Sequence, residues 1–375
     1  MSQDTADPTD DSTDAVTESG GTTTEGVLRS AGLRQTLESL GLGVTALLAA
    51  AMVALVAFDW LQTLSGPLGG LGETGFGLYE EAGRALDSLL GTNVFWVSTT
   101  LRAVATGVLV GVMAPLVGAF LVHRQMALIG ETLAHTAFAG VAIGVVVAGV
   151  LGLSGSAGQL VFVALVVSAL AALGLQWLTA HTDAYGDVPI AITLAGSFAL
   201  ATLVISWGEG NFPVAIDIRG FLFGSHAIVT AGGARLIGVL TVVVVALVVL
   251  NYKQFLFITF DEQAARVARL NVRRYNSLLI VMTAVVVVGA MQILGVILVA
   301  GMLVIPSAAA SQVAGSFREV LVLSVLFGQV SVLVGLGTAI IWSLPSGGAI
   351  ILVGVCLYLA TVAISGRSAG QLSTH

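Results

Sequence analysis

One lysine and one cysteine occur in the 375 residues, and charged side chains make up only 9% of them. The lone cysteine, Cys356, excludes an intramolecular disulfide and any cysteine-cluster metal site. The lone lysine, Lys253, stands between Tyr252 and Gln254, so no G-x-x-x-x-G-K-[ST] loop is available to cradle nucleotide phosphates. Any ATP-driven role therefore needs an ATPase supplied by another chain. The five histidines are scattered at 123, 135, 181, 226 and 375, and no H-E-x-x-H joins two of them into a metalloenzyme site. A formal net charge of −7 argues against a nucleic-acid partner.

Apolar sequence dominates instead, with 57% hydrophobic residues and a mean hydropathy of +1.01. Those values exclude an ordinary soluble domain and indicate an integral membrane protein. Runs of about twenty apolar residues can cross a hydrocarbon core of roughly 30 Å as helices, and the alternating short segments of a membrane barrel are missing. The expected fold is an all-α polytopic membrane protein of about ten spans. They run near Leu42–Trp60, Thr99–Val122, Ala127–Leu151, Gly158–Leu178, Val188–Trp207, Gly232–Leu250, Asn276–Met291, Leu294–Val313, Glu319–Ile341 and Gly347–Ser365. Turn-forming stretches such as GLSGSAG, HTDAYGD, GEGNFP and LPSGG separate several of them.

Residues 1–40 differ, being rich in acids and Thr, and are expected to form a disordered cytoplasmic tail. They lack the basic start and following apolar run of a signal peptide. The acidic tail, with arginine replacing lysine almost throughout, gives a halophile-like composition.

Arginine placement sets the expected orientation, because short cytoplasmic loops accumulate basic residues. Arg29, Arg34, Arg124, Lys253, Arg266, Arg269, Arg273, Arg274, Arg318 and Arg367 all fall on one side of a ten-span chain. The connection after the first span holds Glu73, Glu80, Glu81 and Asp87 against Arg84 alone, and reads as an outer loop. Both termini are accordingly placed in the cytoplasm, in a multi-pass protein of the cell membrane. Arg102, Arg219 and Arg235 depart from the rule, lying near outer ends, although Arg219 has Asp217 beside it. AIDIRGFLFGSHAIV reads as a short outer re-entrant or surface helix.

Between the sixth and seventh spans, residues 251–276 have a helical pattern of their own. Asp261 and Glu262 open it, Ala264, Val267, Ala268 and Leu270 fall near one face, and Arg266, Arg269 and Arg273 occupy others. Early acids and late bases suit the helix dipole. The segment reads as a cytoplasmic docking helix or, alternatively, an amphipathic helix resting on lipid headgroups.

Several blocks, taken in order, carry a resemblance. APLVGAFLVHRQMALIGETLAHTAFAGVAIG contains a G-[DE]-x-[LI]-[SA]-H signature at Gly130 to His135, followed by GFLFGS, FDEQAARVARLNVRRYN, GVILVAGMLVIPSAAA and LPSGGAIILVGV. Together they resemble the permease subunits of zinc, manganese or iron ABC importers. The resemblance covers residues 99–366, leaving 41–98 as an additional helix with its outer loop and 367–375 as a C-terminal tail. It implies a vitamin-B12-importer-like (type II ABC importer) fold, and a second, identical permease subunit. It also implies two cytoplasmic ABC ATPase subunits and an extracellular metal-binding protein. Asp261, Glu262, Ala264, Ala265, Ala268 and Leu270 would form the ATPase-coupling surface. No cofactor is bound permanently; the metal is cargo.

Glu131 and His135 lie four apart inside a span, where an unpaired ionised group costs roughly 2.5–3.5 kcal/mol even on conservative scales. Four-residue spacing puts both on one helical face, so a carboxylate and an imidazole can converge on one ion. Two ligands are too few, but a two-fold axis would give two Glu and two His, a set suited to Zn²⁺ or Mn²⁺. Against this stands a plainer reading, in which Glu131 favours the positive helix end and His135 bonds a neighbouring helix. Gln292, Pro306, Ser307 and Gln312 mark a polar, kinked region that serves either packing or the pathway. His123 beside Arg124 reads as a helix end and His226 as a surface residue. The GxxxG steps at Gly107 and Gly140 read as close helix contacts.

The leading expectation is a divalent-metal permease. A permease for metal chelates such as siderophores or cobalamin, and an ion-coupled secondary carrier, are the alternatives. An intramembrane metalloenzyme would need more ligands than the sequence groups together.

Overall fold

A computed structural model describes residues 19–150, 157–181, 188–211, 222–224 and 229–372. Residues 1–18, Asp217, Arg219, His226 and His375 lie outside the described residues, as do the side chains of His181 and Gln292. Thirteen helices follow along the described chain: α1 Ser19–Leu61, α2 Pro67–Leu90, α3 Ser98–His123, α4 Ala127–Val150, α5 Ala157–His181, α6 Val188–Asn211, α7 Ala231–Leu250, α8 Tyr252–Phe260, α9 Glu262–Val267, α10 Val272–Leu294, α11 Val299–Val313, α12 Phe317–Trp342 and α13 Ser346–Leu372.

Eight of these are long and apolar enough to cross a membrane, namely α1 from Ser39, α3, α4, α6, α7, α10, α12 and α13. Two further expected spans carry shorter apolar helices, Phe162–Gly174 within α5 and the 15 residues of α11. The chain groups into two contact units, Met1–Val44 and Thr45–His375. Of the first, the structure describes the opening of α1 from Ser19, inside the stretch expected to be a disordered tail. The second holds the remainder of α1 from Thr45 and all the other helices.

α3 is the axis of this unit, because its sequence is small and apolar on every side. A helix hydrophobic all round belongs in an interior, and Ala103, Val108, Met113, Val117 and Phe120 are fully buried. Its glycines let neighbours approach. A Cβ at Gly111 would meet the Gly328 backbone of α12 at 3.1 Å, and one at Gly118 would strike the Leu303 carbonyl of α11. Ser307 on α11 completes the crossing by donating its hydroxyl to the Pro115 carbonyl at 3.1 Å.

At one end of the unit, α1 is fixed to α3 by charge. Asp59 Oδ1 accepts from Arg102 Nε at 3.0 Å and from Nη2 at 2.7 Å, and Arg235 Nη2 lies 3.9 Å from Oδ2. Asp59 is only 1% exposed. Two of the three arginines that break the positive-inside pattern therefore share one buried carboxylate. Buried charges persist only when paired, so Asp59 answers for both departures.

The connection expected as an outer loop folds as α2. Its buried face is mostly glycine, Gly69, Gly72, Gly75 and Gly83 together with Phe76, and side chains there would collide with α1 and the residues after it. A Cβ at Gly75, for instance, would sit 2.5 Å from the Phe58 ring. Tyr79 donates to the Ala51 carbonyl at 2.8 Å, and Asp87 takes the backbone N–H groups of Val94, Phe95 and Trp96 at 3.0–3.2 Å. Burial opposes ionisation of Asp87, but these bonds and the Thr92 hydroxyl outweigh it and hold its carboxyl below the usual range.

Candidate metal site

The helix bearing Glu131 and His135 begins after a tight reversal. Gln125 adopts φ 57°, and Met126 N–H returns to the Leu121 carbonyl at 2.9 Å. α4 then packs on α6, α5, α10 and α11. Leu133, Ala134, Ala137 and Phe138 are buried, and the buried hydroxyls of Thr132 and Thr136 return to carbonyls of their own helix, Leu128 and Leu133. Such back-bonding occupies the hydroxyl protons of both threonines within their own helix.

Glu131 and His135 sit on a different face. Glu131 is exposed and His135 half-buried, one helical turn apart. The imidazole meets the Phe198 ring of α6 edge-on, with centroids 5.2 Å apart and planes at 84°. Its Nδ1 is buried and has no hydrogen-bond partner among the described residues. A helix neighbour bonding Nδ1, which would serve the plainer reading, is not found among the described residues. No group of three or more His, Cys, Asp or Glu that could hold a metal occurs among the described residues. Among the described residues one chain thus brings together an anionic oxygen donor and a nitrogen donor, and no third.

The other polar residues do not join this pair. Ser307 and Pro306 are buried, with Ser307 engaged by Pro115 and Leu303. Gln312 is exposed near the end of α11. His123 Nδ1 lies 2.9 Å from the Ala119 carbonyl, and its ring packs against Phe317 and Phe260, which is a helix-end role.

The expected docking segment is two short helices instead of one. Asp261 breaks the helix at φ −148° and caps α9 by accepting from Ala264 N–H at 2.8 Å. Arg269 at φ 60° turns the chain into α10. Ala265 is fully buried in a small cluster with Ile258 and Val272, while Ala264 and Leu270 are half-buried. Val267, at 85% exposure, and Ala268 face outward. Glu262 bridges Arg266 at 2.6 Å and Arg124 at 3.4 Å. Arg124 lies just before α4, so the segment is tied to the start of the helix that carries Glu131. Burial pushes the Arg124 guanidinium below its ordinary range, and Glu262 counters that push.

Three of the quoted sequence blocks meet at the opposite end of α10. Gly224 at φ 77° and Gly295 at φ 79° lie backbone against backbone. Ile297 N–H donates to the Leu222 carbonyl at 3.3 Å, and Ser346 Oγ to the Ile293 carbonyl at 2.8 Å. Residues 222–224, 293–297 and 346–347 thus form one junction, in which backbone groups freed by the α10–α11 break find partners.

Two side-chain partners are not legible in the sequence. Phe198 carried no signal beyond being aromatic on an apolar helix. Asp59 carried one, being an acid near a span end at the same level as two anomalous arginines.

Residues 97–365 match the family model described as ABC 3 transport family. The manganese transport system membrane protein MntC of Listeria monocytogenes is 31% identical over 68% of this chain and 87% of its own. The high-affinity zinc uptake system membrane protein ZnuB of Haemophilus influenzae is 22% identical over 69% and 95%. Among solved structures, PsaBC from Streptococcus pneumoniae in complex with Fab overlays with a TM-score of 0.61 and 28% identity, over 70% of this chain and 90% of that one. An inward-facing metal-chelate type ABC transporter overlays at 0.57 with 16% identity, over 87% and 99%, a likeness of fold alone. That share exceeds what residues 97–375 could supply, so the overlay reaches into the N-terminal region. With a family model spanning most of the chain, the signature at Gly130 to His135 on one helix, and three of its companion blocks joined in space, the chain belongs to the ABC 3 transport family.

Proposed function

We propose that this chain is the membrane-spanning permease subunit of an ATP-driven importer of divalent metal ions. The observation that carries the site is the α4 face, where exposed Glu131 and half-buried His135, its Nδ1 unpartnered among the described residues, are one turn apart. Two copies related by a two-fold axis would offer two carboxylates and two imidazoles, a hard and borderline donor set that suits Mn²⁺, Zn²⁺ or Fe²⁺. Such a site holds its cargo through few bonds, so the ion can leave. The carboxylates offset the dication in a low-dielectric pathway, where solvation by water is reduced.

The relatives are named for manganese and zinc, and either metal fits these donors. ATP hydrolysis belongs to two ATPase subunits docking at Asp261 to Leu270 on the cytoplasmic face, which also holds both termini. An extracellular metal-binding protein delivers the ion to the opposite face. The Arg124–Glu262 pair gives a direct mechanical path from the docking segment to α4. A chelate permease shares the fold but would have no use for an acid–histidine pair at this position.

Uptake of ⁵⁴Mn²⁺ and ⁶⁵Zn²⁺ by proteoliposomes of the reconstituted complex, with ATPase activity followed in parallel, tests the reading. His135→Ala and Glu131→Gln should each reduce uptake by at least about tenfold with the complex intact, the loss of one ligand type from both halves of the site. Glu131→Asp should be the mildest change. Normal uptake by both His135→Ala and Glu131→Gln would reduce the pair to structural polar residues.

A further inference from the structure

We propose that the groove between α1 and α7 is a binding site for an anionic phospholipid of the membrane leaflet at the Asp59 end. The groove encloses about 620 Å³ and is walled by Val53, Val56 and Trp60 of α1 and by Val239 and Val243 of α7, with Arg235 at one end. Its outward walls are open to the bilayer, since Trp60 is 56% exposed and Val239 61%. The two helices close its floor, where a Cβ at Gly238 would already press on Val56 at 3.2 Å. An acyl chain fits this shape and this lining.

Shape alone gives no selectivity, because an acyl chain is as well solvated by other lipid tails as by valine. The charge at the groove's end does. Asp59 Oδ1 accepts both of its close bonds from Arg102, at 3.0 and 2.7 Å. Arg235 is held more loosely, by the Asp59 main-chain carbonyl at 3.3 Å and by Oδ2 at 3.9 Å. No other acid lies within ion-pair reach of either arginine among the described residues. One carboxylate thus faces two guanidiniums, leaving about one positive charge beside an apolar slot. Arg235 keeps 30% of its side chain exposed, so a phosphate at the headgroup level can reach it. A guanidinium matches phosphate through charge-assisted hydrogen bonds, which a zwitterionic lipid offers with its own compensating cation attached. Trp60 at the rim suits the same interfacial depth. An anionic headgroup on Arg235 would complete the neutralisation that Asp59 begins.

The test uses the purified full-length protein in mixed micelles holding equal phosphatidylglycerol and phosphatidylcholine, with retained lipid read by native mass spectrometry. The wild type should retain phosphatidylglycerol about fivefold over phosphatidylcholine, the scale of one charge-assisted bond at a partly exposed site. Arg235→Gln should bring the ratio to one, Arg235→Lys should keep most of the preference, and Val239→Trp should lower both bound lipids by filling the slot. Inorganic phosphate alone should not displace the bound lipid. Retention in the bulk ratio by the wild type would overturn the proposal, as would an unchanged preference in folded Arg235→Gln. Cross-linking between two copies through Val239→Cys, in a Cys356→Ser background, would overturn it too by assigning the groove to a subunit interface.

Discussion

Arg124 and Glu262, 138 residues apart, meet with Nη2 and Oε2 3.4 Å from each other, which ties the turn before α4 to the short helix α9. Glu262 is 38% exposed, so solvent screening limits the pair's worth to stability to under about 1 kcal/mol. On the proposed reading its value lies in transmission. Glu262→Gln should leave expression and melting temperature close to wild type while lowering metal transported per ATP several-fold in proteoliposomes. An unchanged ratio would mean that movement reaches α4 by another route.

On the proposed reading, the outward face of α9 serves docking and its inward face serves folding. Val267→Asp touches a side chain that is 85% exposed, so the permease should keep its stability and lose co-purification of the ATPase subunit. Ala265→Asp instead places a carboxylate in the closed cluster with Ile258 and Val272, and should destabilise the segment by about 2 kcal/mol or more. Pull-down and melting curves on the two variants should therefore give opposite patterns.

Removing the carboxylate at Asp59 leaves Arg102 and Arg235 facing each other without a counter-charge. Breaking a buried pair from one side costs about 3 kcal/mol or more, and Asp59→Asn should lower the thermal midpoint in detergent by several degrees. The double variant Asp59→Leu with Arg102→Met should recover part of that loss, since Arg235 can swing toward the headgroups. A double variant less stable than Asp59→Asn would show that the ion pair does more than neutralise.

Asp87 makes the α2–α3 connection sensitive to acid. Its folded pKa is depressed, so the stability it contributes is complete above the unfolded value, near pH 4, and is lost as pH falls through the folded value. Hydrogen exchange over residues 92–97, corrected for intrinsic rates, should be flat from neutral pH to about 4 and rise below. In Asp87→Asn the segment should exchange faster throughout, with no acid step.

What the sequence disclosed follows from how local each signal is. Spans are legible from hydropathy, and Glu131 with His135 from four-residue spacing, because both depend on neighbours along the chain. The Asp59 cluster joins residues 43 and 176 positions apart, and no local pattern announces such a pairing. The misplaced arginines did register the imbalance without naming the partner. α2 was hidden by its own packing solution, since glycines chosen for close approach to α1 read as loop. In the expected docking segment Ala265 is buried because it packs on Ile258 and Val272 from the neighbouring helices, a contact that the pattern of the segment alone does not show, while Val267 is exposed.

Phe198 is the neighbour of His135 that the sequence did not reveal, and it supplies a test that separates positioning from ligation. Its ring stands edge-on to the imidazole, with centroids 5.2 Å apart, and is 42% exposed, so truncation leaves no closed cavity. Aromatic pairs of this kind are worth about 0.5–1.5 kcal/mol, enough to bias a ring orientation without fixing it. Phe198→Ala should therefore keep the fold, retain the capacity to transport, and raise the metal concentration for half-maximal uptake by roughly three- to tenfold. Phe198→Tyr or Phe198→Leu should restore most of the affinity by refilling the space beside the imidazole. His135→Ala, by contrast, should lose maximal uptake itself and gain nothing from restoring bulk at position 198. If Phe198→Ala abolishes uptake as completely as His135→Ala, the aromatic ring takes part in the pathway and does more than orient the histidine.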